Sequence, residues 1–265
     1  MAIDGVRVHG ASGQPVLLLP GGAEACDGFF PGLVEGLVAD PGCRVIVHDR
    51  PGTGTAAAEG TLAGAADHLS ALIDRLGCGP VVVVGQSLGG AVGVLLARAH
   101  PEQVAGLVLL DPTVINDPRT CAALERMTRV LGSAAALPGL RSLLPRVLRA
   151  AVVRSTRRQR LRPDCEAAQL RMADLDIPVL ARAVRGITEL SRGLREADLP
   201  RVPSVVVTAD RKPGAAMRRG HVRLADAFGG EVVCWPGATH GVHLDHPDET
   251  LATVREVVTR VSAAA

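Results

Sequence analysis

A serine flanked by two glycines is the first group in this chain that could do chemistry. Gly85, Ser87 and Gly89 form a Gly-x-Ser-x-Gly pattern directly after four valines, residues 81–84. The β-branched valines are typical of a strand buried on both faces, and the apolar run after Ser87 indicates a helix. A sharp strand-to-helix turn would project the serine hydroxyl, and it needs glycines on either side because side chains there would collide. Ser87 is therefore a candidate nucleophile, with a helix cap as the alternative.

Strand-like and helix-like segments alternate along the chain around this serine. The alternation predicts a mainly parallel sheet covered by helices on both faces. Ligands of such sheets bind beyond the carboxyl ends of the strands, where the glycine-rich and polar turns of this sequence fall. The predicted strands are 14–19, 44–47, 81–84, 106–110, 204–208 and 231–235, and the predicted helices are 33–38, 61–76, 87–100, 214–228 and 248–261.

Residues 112–200 interrupt this alternation. The segment contains 16 arginines and several prolines, and it has no convincing strand pattern. Helices inserted between two strands of a parallel sheet would lie over the strand ends as a lid. We therefore predict a core formed by residues 1–111 and 201–265, with residues 112–200 as a helical lid.

Several motifs together resemble the α/β-hydrolase fold. The resemblance covers residues 14–111 and 204–261, and three motifs accompany the serine turn in the expected order: Leu19-Pro20-Gly21-Gly22, the loop Asp49–Gly54, and Pro236-Gly237-Ala238-Thr239-His240. It implies a mostly parallel central sheet flanked by helices, with the helical lid inserted after the sixth strand of that fold. In the family the loop that matches Asp49–Gly54 is structural.

The resemblance also implies catalytic roles. Ser87 would be the nucleophile, and His240 would be the general base that takes the serine proton. The backbone N–H groups of Gly22 and Leu88 would form an oxyanion hole, the pair of donors that stabilises the negative oxygen of the tetrahedral intermediate. Pro20 stands where the family commonly has histidine, a change that should leave the Gly22 donor intact.

The acid that would orient His240 is where this sequence departs from the family. The usual acid position, shortly after the strand 204–208, is occupied by Lys212. A cation cannot orient an imidazolium, so another group must compensate. Asp111, at the end of the strand 106–110, is one candidate, and Asp210 is the alternative if its loop bends differently. A site without an acid is the third possibility.

Composition narrows the classes of function and partner. The chain of 265 residues is 47% hydrophobic and 2% aromatic, with a formal net charge of +2 and one lysine. Scarce aromatics argue against nucleic-acid binding, and no apolar run reaches membrane-span length. Six scattered cysteines and an N-terminus without a signal pattern favour a cytoplasmic protein with reduced thiols. We expect no metal, no cofactor, and neither nucleic acid nor membrane as a partner.

The leading functional hypothesis is a cofactor-free serine hydrolase or acyl-transfer enzyme. Its substrate would be an ester, thioester or lactone of a small hydrophobic molecule. One alternative is a lyase or cyclase that uses the same pocket without net hydrolysis, and another is a non-catalytic small-molecule receptor. The arginines of residues 154–162 would be either a solvated surface or a site that attracts an anion, such as a carrier-linked acyl group.

Overall fold

A single seven-stranded sheet forms the centre of the molecule. The computed structural model describes residues 5–56, 59–135, 137–174 and 176–264, so residues 1–4, 57, 58 and 265 of the predicted core and residues 136 and 175 of the predicted lid lie outside the described residues. The strands lie in the order β1-β3-β2-β4-β5-β6-β7. They are β1 Val6–His9, β2 Pro15–Leu19, β3 Arg44–His48, β4 Val81–Gln86, β5 Val104–Leu110, β6 Ser204–Thr208 and β7 Glu231–Cys234.

This architecture confirms the predicted α/β fold with a mostly parallel sheet. Only β1 is antiparallel to its neighbour, β3, among the described strands; the other five pairings are parallel. The sequence analysis did not predict β1, which is four residues long and mostly exposed. Such a short edge strand has almost no buried apolar pattern for sequence reasoning to detect.

The flanking helices have the following bounds in the described residues. They are α1 Leu33–Ala39, α2 Ala65–Leu76, α3 Leu88–Ala99, α4 Pro118–Ala135, α5 Leu140–Thr156, α6 Pro163–Arg171, α7 Ile177–Val184, α8 Ile187–Gly193, α9 Ala216–Phe228, α10 Val242–Asp245 and α11 Pro247–Ala264, with short 3₁₀ turns at Pro101–Gln103, Met172–Asp174 and Glu196–Asp198. None of these helices is both long enough and apolar enough to span a membrane.

The valine strand β4 shows why the sheet holds together. All four valines of residues 81–84 are fully buried. Val81 and Val83 pack with α2 and α3 on one face, whereas Val82 and Val84 pack with α1 and α11 on the other. Because both faces are covered, the strand is a continuous apolar run rather than an alternating one. Each fully buried valine stabilises the fold by about 2 kcal/mol, which makes β4 a rigid support for the residues that follow it.

Helices α4 to α8 fill the chain between β5 and β6, and we call them the insertion helices. No strand occurs there in the described residues. Leu180 of α7 lies near the turn after β2, since a Cβ built on Gly22 would be 3.7 Å from its Cδ1 atom. The insertion helices therefore approach the carboxyl ends of the strands. The division into a core and a lid stays a prediction.

Candidate active site

Ser87 lies in a strained turn between β4 and α3. Its backbone has φ 50° and ψ −116°, a conformation that costs a non-glycine residue about 1–3 kcal/mol. Hydrogen bonds hold the turn: the Ser87 N–H donates to Leu110 O over 3.1 Å, and the Ser87 carbonyl accepts from Thr113 N over 2.9 Å. The end of β5 and the residues after it thus hold the serine at the carboxyl edge of the sheet.

The two glycines around Ser87 have no room for a side chain. A Cβ on Gly85 would lie 2.7 Å from Gly89 O, and a Cβ on Gly89 would lie 2.2 Å from Leu19 O. Both obstacles are backbone atoms, which cannot rotate away as a side chain can. The glycines are therefore required by close packing of strand, turn and helix.

The structure brings Ser87, His240 and Asp111 together. Ser87 Oγ lies 2.9 Å from His240 Nε2, and His240 Nδ1 lies 2.6 Å from Asp111 Oδ2. A carboxylate only accepts hydrogen bonds, so the proton is on Nδ1 and Nε2 is free to accept from the serine hydroxyl. The His240 side chain is 54% exposed, whereas that of Asp111 is fully buried. The imidazole is thus open to a ligand on one side and held by the protein on the other.

Asp111 is held by four donors. Arg211 contacts both carboxylate oxygens, with Nη2 2.6 Å from Oδ2, and the Ala209 N–H donates to Oδ1 over 2.9 Å. His240 is the remaining donor. Burial alone would raise the pKa of Asp111, but the hydrogen bonds from Arg211 and His240 hold it well below its usual range. Asp111 is therefore a fixed carboxylate anion at any pH near neutrality.

A buried histidine, His221, lies beside the Asp111 carboxylate. His221 Nε2 donates to the Pro112 carbonyl over 2.8 Å, and its Nδ1 lies 2.9 Å from Thr208 Oγ1. Burial lowers the pKa of His221, although Asp111 acts in the opposite direction. A neutral imidazole here adds no second cation to compete with Arg211.

Asp210, the alternative acid, does not contact His240. Its Oδ2 atom accepts from Gly237 N over 2.9 Å, and its own N–H donates to Ala238 O over 2.7 Å. Asp210 thus holds the loop that carries the histidine through Gly237 and Ala238. Sequence reasoning missed the neighbouring Arg211, although the cation at Lys212 was a signal that positive charge lies near the acid position.

A buried glutamine links the serine turn to the histidine loop. Gln86, immediately before Ser87, is 2% exposed, and its Nε2 atom donates to the His240 carbonyl over 2.9 Å. A Cβ on Gly21 would lie 2.0 Å from Gln86 Oε1, so a side chain at this position would require the glutamine amide to move. Sequence analysis did not single out Gln86, because its partner is 154 residues away in the chain.

The predicted oxyanion-hole residues lie on two different elements. Gly22 follows β2 with φ 56°, and Leu88 is the first residue of α3. Neither backbone N–H has a hydrogen-bond acceptor among the described residues. The Gly22 carbonyl accepts from Arg50 Nη2 over 3.1 Å, which holds this part of the loop in place. Two donors without a protein acceptor are what binding of a negative oxygen requires.

His243 lies behind the histidine loop and packs rather than reacts. Its ring is 2% exposed and stacks on Phe29, with ring centres 4.8 Å apart. Burial, together with the neighbouring His240, lowers the pKa of His243 to about 3. The position of His243 is therefore a packing one.

The titration of His243 predicts a loss of stability in acid. The unfolded chain binds a proton at this residue below a pKa of about 6.5, whereas the folded chain binds it only near pH 3, so the stabilisation present above pH 6.5 is lost as the pH falls. Between pH 7 and pH 4.5 the free energy of unfolding should fall by about 2 kcal/mol less in His243→Phe than in the wild type. Urea unfolding at both pH values measures this difference.

His9→Gln provides the control for this measurement, because His9 is exposed on β1. We expect it to show the same loss between the two pH values as the wild type. Equal losses in His243→Phe and the wild type would contradict the argument.

Metal binding has no evident site in the described residues. No group of three or more His, Cys, Asp or Glu side chains there is arranged to hold a metal ion.

Comparison with known proteins identifies the class. The sequence profile of the Alpha/beta hydrolase family matches residues 16–253. The chain is 65% identical to lipase LipV of Mycobacterium tuberculosis over 49 residues, which are 18% of this chain and 19% of LipV. It is 32% identical over 124 residues to RutD of Caulobacter vibrioides, named for carbamate hydrolysis, with 44% of this chain and 45% of RutD covered. These matches span less than half the length of either relative.

The fold comparison covers nearly the whole chain. MenH from S. aureus superposes with a TM-score of 0.77 at 14% identity, covering 98% of this chain and 100% of MenH. Together with the family match over residues 16–253, the observed fold shows that the chain belongs to the Alpha/beta hydrolase family.

Proposed function

We propose that this protein is a serine hydrolase that transfers an acyl group from an ester, thioester or lactone to water through Ser87. One observation carries the proposal: the hydrogen-bonded chain from Ser87 Oγ through the imidazole of His240 to Asp111, with distances of 2.9 Å and 2.6 Å. A nucleophile, a base and an orienting carboxylate in this geometry are the requirements of acyl transfer.

The reaction would proceed in two halves. Ser87 Oγ attacks the substrate carbonyl carbon while its proton passes to His240 Nε2. The Gly22 and Leu88 N–H groups would stabilise the negative oxygen, each contributing a few kcal/mol, about 3 in comparable sites. Collapse of the intermediate expels the alcohol or thiol, which takes the proton from His240. Water then attacks the acyl-serine while its proton passes to His240. Collapse of the second intermediate returns that proton to Ser87 Oγ and releases the acid.

Asp111 would act through the imidazole rather than on the substrate. Its contact with Nδ1 keeps His240 in the tautomer that accepts from Ser87, and its negative charge stabilises the imidazolium formed during attack. Arg211 shares this carboxylate, so it fixes the position of Asp111 at the same time as it offsets part of its charge. Arg211 is a positioning residue in this scheme.

Relatives support the class of reaction. LipV is named a lipase and RutD is named for carbamate hydrolysis, and both names denote cleavage of an acyl bond. The similarity is partial in both cases, so the substrate class rests on the site. The substrates that we propose are carbonyl compounds that can acylate a serine and whose acyl part is small and hydrophobic.

Labelling by a fluorophosphonate tests the proposal. The probe should modify the wild type at Ser87, located by mass spectrometry of the digested protein, and Ser87→Ala should remain unlabelled. Only a serine activated by a neighbouring base reacts rapidly with such a probe. Ser155→Ala is the matched control, since Ser155 is an exposed serine of α5, and it should label like the wild type.

Equal labelling of the wild type and Ser87→Ala would refute the proposal. The lyase or cyclase alternative predicts a different result, in which product formation depends on Ser87 but no covalent acyl adduct accumulates with any substrate. An acyl group trapped on Ser87 would exclude that alternative.

A further inference from the structure

Arg50 is a buried cation that contacts no carboxylate among the described residues. The residue is 4% exposed, and within the described part of the chain its Nη2 atom donates to the Gly22 carbonyl alone. Its Nε atom is buried without an acceptor among the described residues. The neighbouring Asp49 carboxylate is already occupied, since it accepts from Cys26 N and from the N–H and hydroxyl of Thr55.

Such a charge is rare in a folded protein. Buried charges are normally paired, because removing an ion from water is costly unless an opposite charge compensates. Burial lowers the pKa of Arg50 to about 10, which is still above neutral pH. The guanidinium is therefore charged, and nothing in the described part of the protein neutralises it by direct contact.

Arg50 lines a cleft that is also lined by two further arginines. The cleft has a volume of about 990 Å³ and lies between the loop after β3, the start of α2, and α7. Arg182 of α7 and Arg185, just after it, line the cleft, and both are exposed without an ion pair in the described residues. Glu59 is the single carboxylate among the described lining residues. The cleft thus carries a surplus of positive charge.

The cleft adjoins the candidate active site without being part of it. Ser87, Asp111 and His240 are not among its described lining residues. The link is Gly22, whose carbonyl is held by Arg50 and whose backbone lies beside Leu180 of α7. Since the Gly22 N–H is one of the proposed oxyanion donors, a ligand could place a reactive carbonyl at Ser87 and another group in this cleft.

We propose that this cleft is a second binding site, which takes a carboxylate or phosphate carried by the substrate at a distance from the carbonyl that Ser87 attacks. Arg50 forms its base, and Arg182 and Arg185 form its outer wall. A planar guanidinium binds either anion through two parallel hydrogen bonds. Anion binding is inferred from the residues of the cleft alone. The inference that the anion is part of the substrate rests on the proposed function.

Anion binding can be measured without any turnover. Inorganic phosphate and acetate, each titrated at constant ionic strength, should raise the Tm of the wild-type protein, because a ligand that binds only the folded state stabilises it. In the double variant Arg182→Gln/Arg185→Gln, the concentration that gives half of the shift should rise by about tenfold, the effect of losing hydrogen bonds to a charged group. A larger shift with phosphate identifies a phosphate site, and a larger shift with acetate identifies a carboxylate site.

The matched control removes the same charge elsewhere. Arg119 and Arg126 are exposed arginines of α4 and are absent from the cleft lining. Arg119→Gln/Arg126→Gln should bind both anions like the wild type. An equal weakening in the two double variants would mean that general charge rather than the cleft attracts the anion, and would overturn the proposal. Absence of any shift in the wild type would overturn it as well.

Turnover tests the assignment to the substrate. Mono-p-nitrophenyl esters of succinic, adipic and suberic acid carry a free carboxylate at increasing distance from the ester carbonyl. Each is compared with a neutral p-nitrophenyl ester of equal chain length. For at least one length, the ratio of kcat/KM for the anionic ester to that for the neutral ester should fall by about tenfold in Arg182→Gln/Arg185→Gln. Arg119→Gln/Arg126→Gln should keep the wild-type ratio.

The two proposals fail in different ways. If the wild type hydrolyses none of these esters but binds phosphate or acetate through Arg182 and Arg185, the proposed hydrolysis fails and the anion site stands. If esters are hydrolysed through Ser87 with unchanged ratios and no anion raises the Tm, the second site fails and the hydrolase stands.

Discussion

Asp111→Asn is expected to lower kcat/KM for an activated ester by roughly 10⁴-fold, the effect of losing the orienting carboxylate in a serine triad. The physical reason is the tautomer of His240. An asparagine amide can donate to Nδ1, which moves the imidazole proton to Nε2, where it faces Ser87 and prevents the ring from accepting the serine proton. Steady-state kinetics with a p-nitrophenyl ester measures the loss.

Asp210→Asn is the matched control for this substitution. Both aspartates follow a buried strand, but Asp210 contacts Gly237 rather than the imidazole. Its replacement loosens one hydrogen bond of the histidine loop and should cost at most about tenfold in kcat/KM. A larger loss in Asp210→Asn than in Asp111→Asn would contradict the assignment of Asp111 as the acid.

Loss of folding must be separated from loss of catalysis. Asp111→Asn leaves Arg211 beside a neutral amide, and breaking this buried ion pair should cost about 3 kcal/mol of stability. The double variant Asp111→Asn/Arg211→Gln removes the unpaired charge as well. We expect it to recover part of the stability in urea unfolding and to remain as inactive as the single variant.

Gly89→Ala is expected to lower the free energy of unfolding by at least about 3 kcal/mol, although alanine is the better helix former by about 1 kcal/mol. The new Cβ would lie 2.2 Å from Leu19 O and 2.6 Å from Pro20 O. Both are backbone atoms at the end of β2, so relief requires moving the strand or α3. The clash therefore outweighs the gain in helix propensity. Thermal and urea unfolding measure the loss.

Gly193→Ala is the control for a glycine with free space. Apart from the backbone of α8 itself and the adjacent residues, no heavy atom of the described residues lies within 4 Å of a Cβ built at this position, at the end of the helix. Its replacement should be neutral or stabilise the protein by up to about 1 kcal/mol, because alanine reduces the freedom of the unfolded chain. If Gly89→Ala and Gly193→Ala have the same free energy of unfolding, the close packing around Ser87 is not rigid. Close packing would then not explain the glycines of the turn.

Local patterns in the sequence were sufficient for most of the fold. Six of the seven strands were predicted, because a strand buried on both faces is an unbroken apolar run whatever its neighbours are. The valines of residues 81–84 are the clearest case, and all four are fully buried. The strained turn at Ser87 was also predictable, since the need for glycines arises within five residues of chain. Strand β1 was missed because its residues are mostly exposed.

Contacts between distant parts of the chain were beyond the reach of local patterns. Asp111 and Asp210 have equivalent positions after buried strands, and the sequence left both open as the acid. The acid can be chosen only from the path of the histidine loop, which brings His240 to Asp111 across 129 residues. The ion pair with Arg211 and the anchor at Gln86 depend on the same loop.

The arginines of the insertion also show the difference between what the sequence reveals and what only the fold reveals. The sequence revealed a run of arginines at 154–162 as an anion-binding candidate, because clustering along the chain is visible there. The cleft is lined instead by Arg50 together with Arg182 and Arg185; Arg50 is distant in sequence from the other two and shares the cleft with them only in the fold. The sequence by itself determined the strands, the serine turn and the membership of a fold class, since these depend on neighbouring residues. Tertiary structure decided which carboxylate contacts His240 and which arginines share a cleft, because these contacts depend on which residues meet in space.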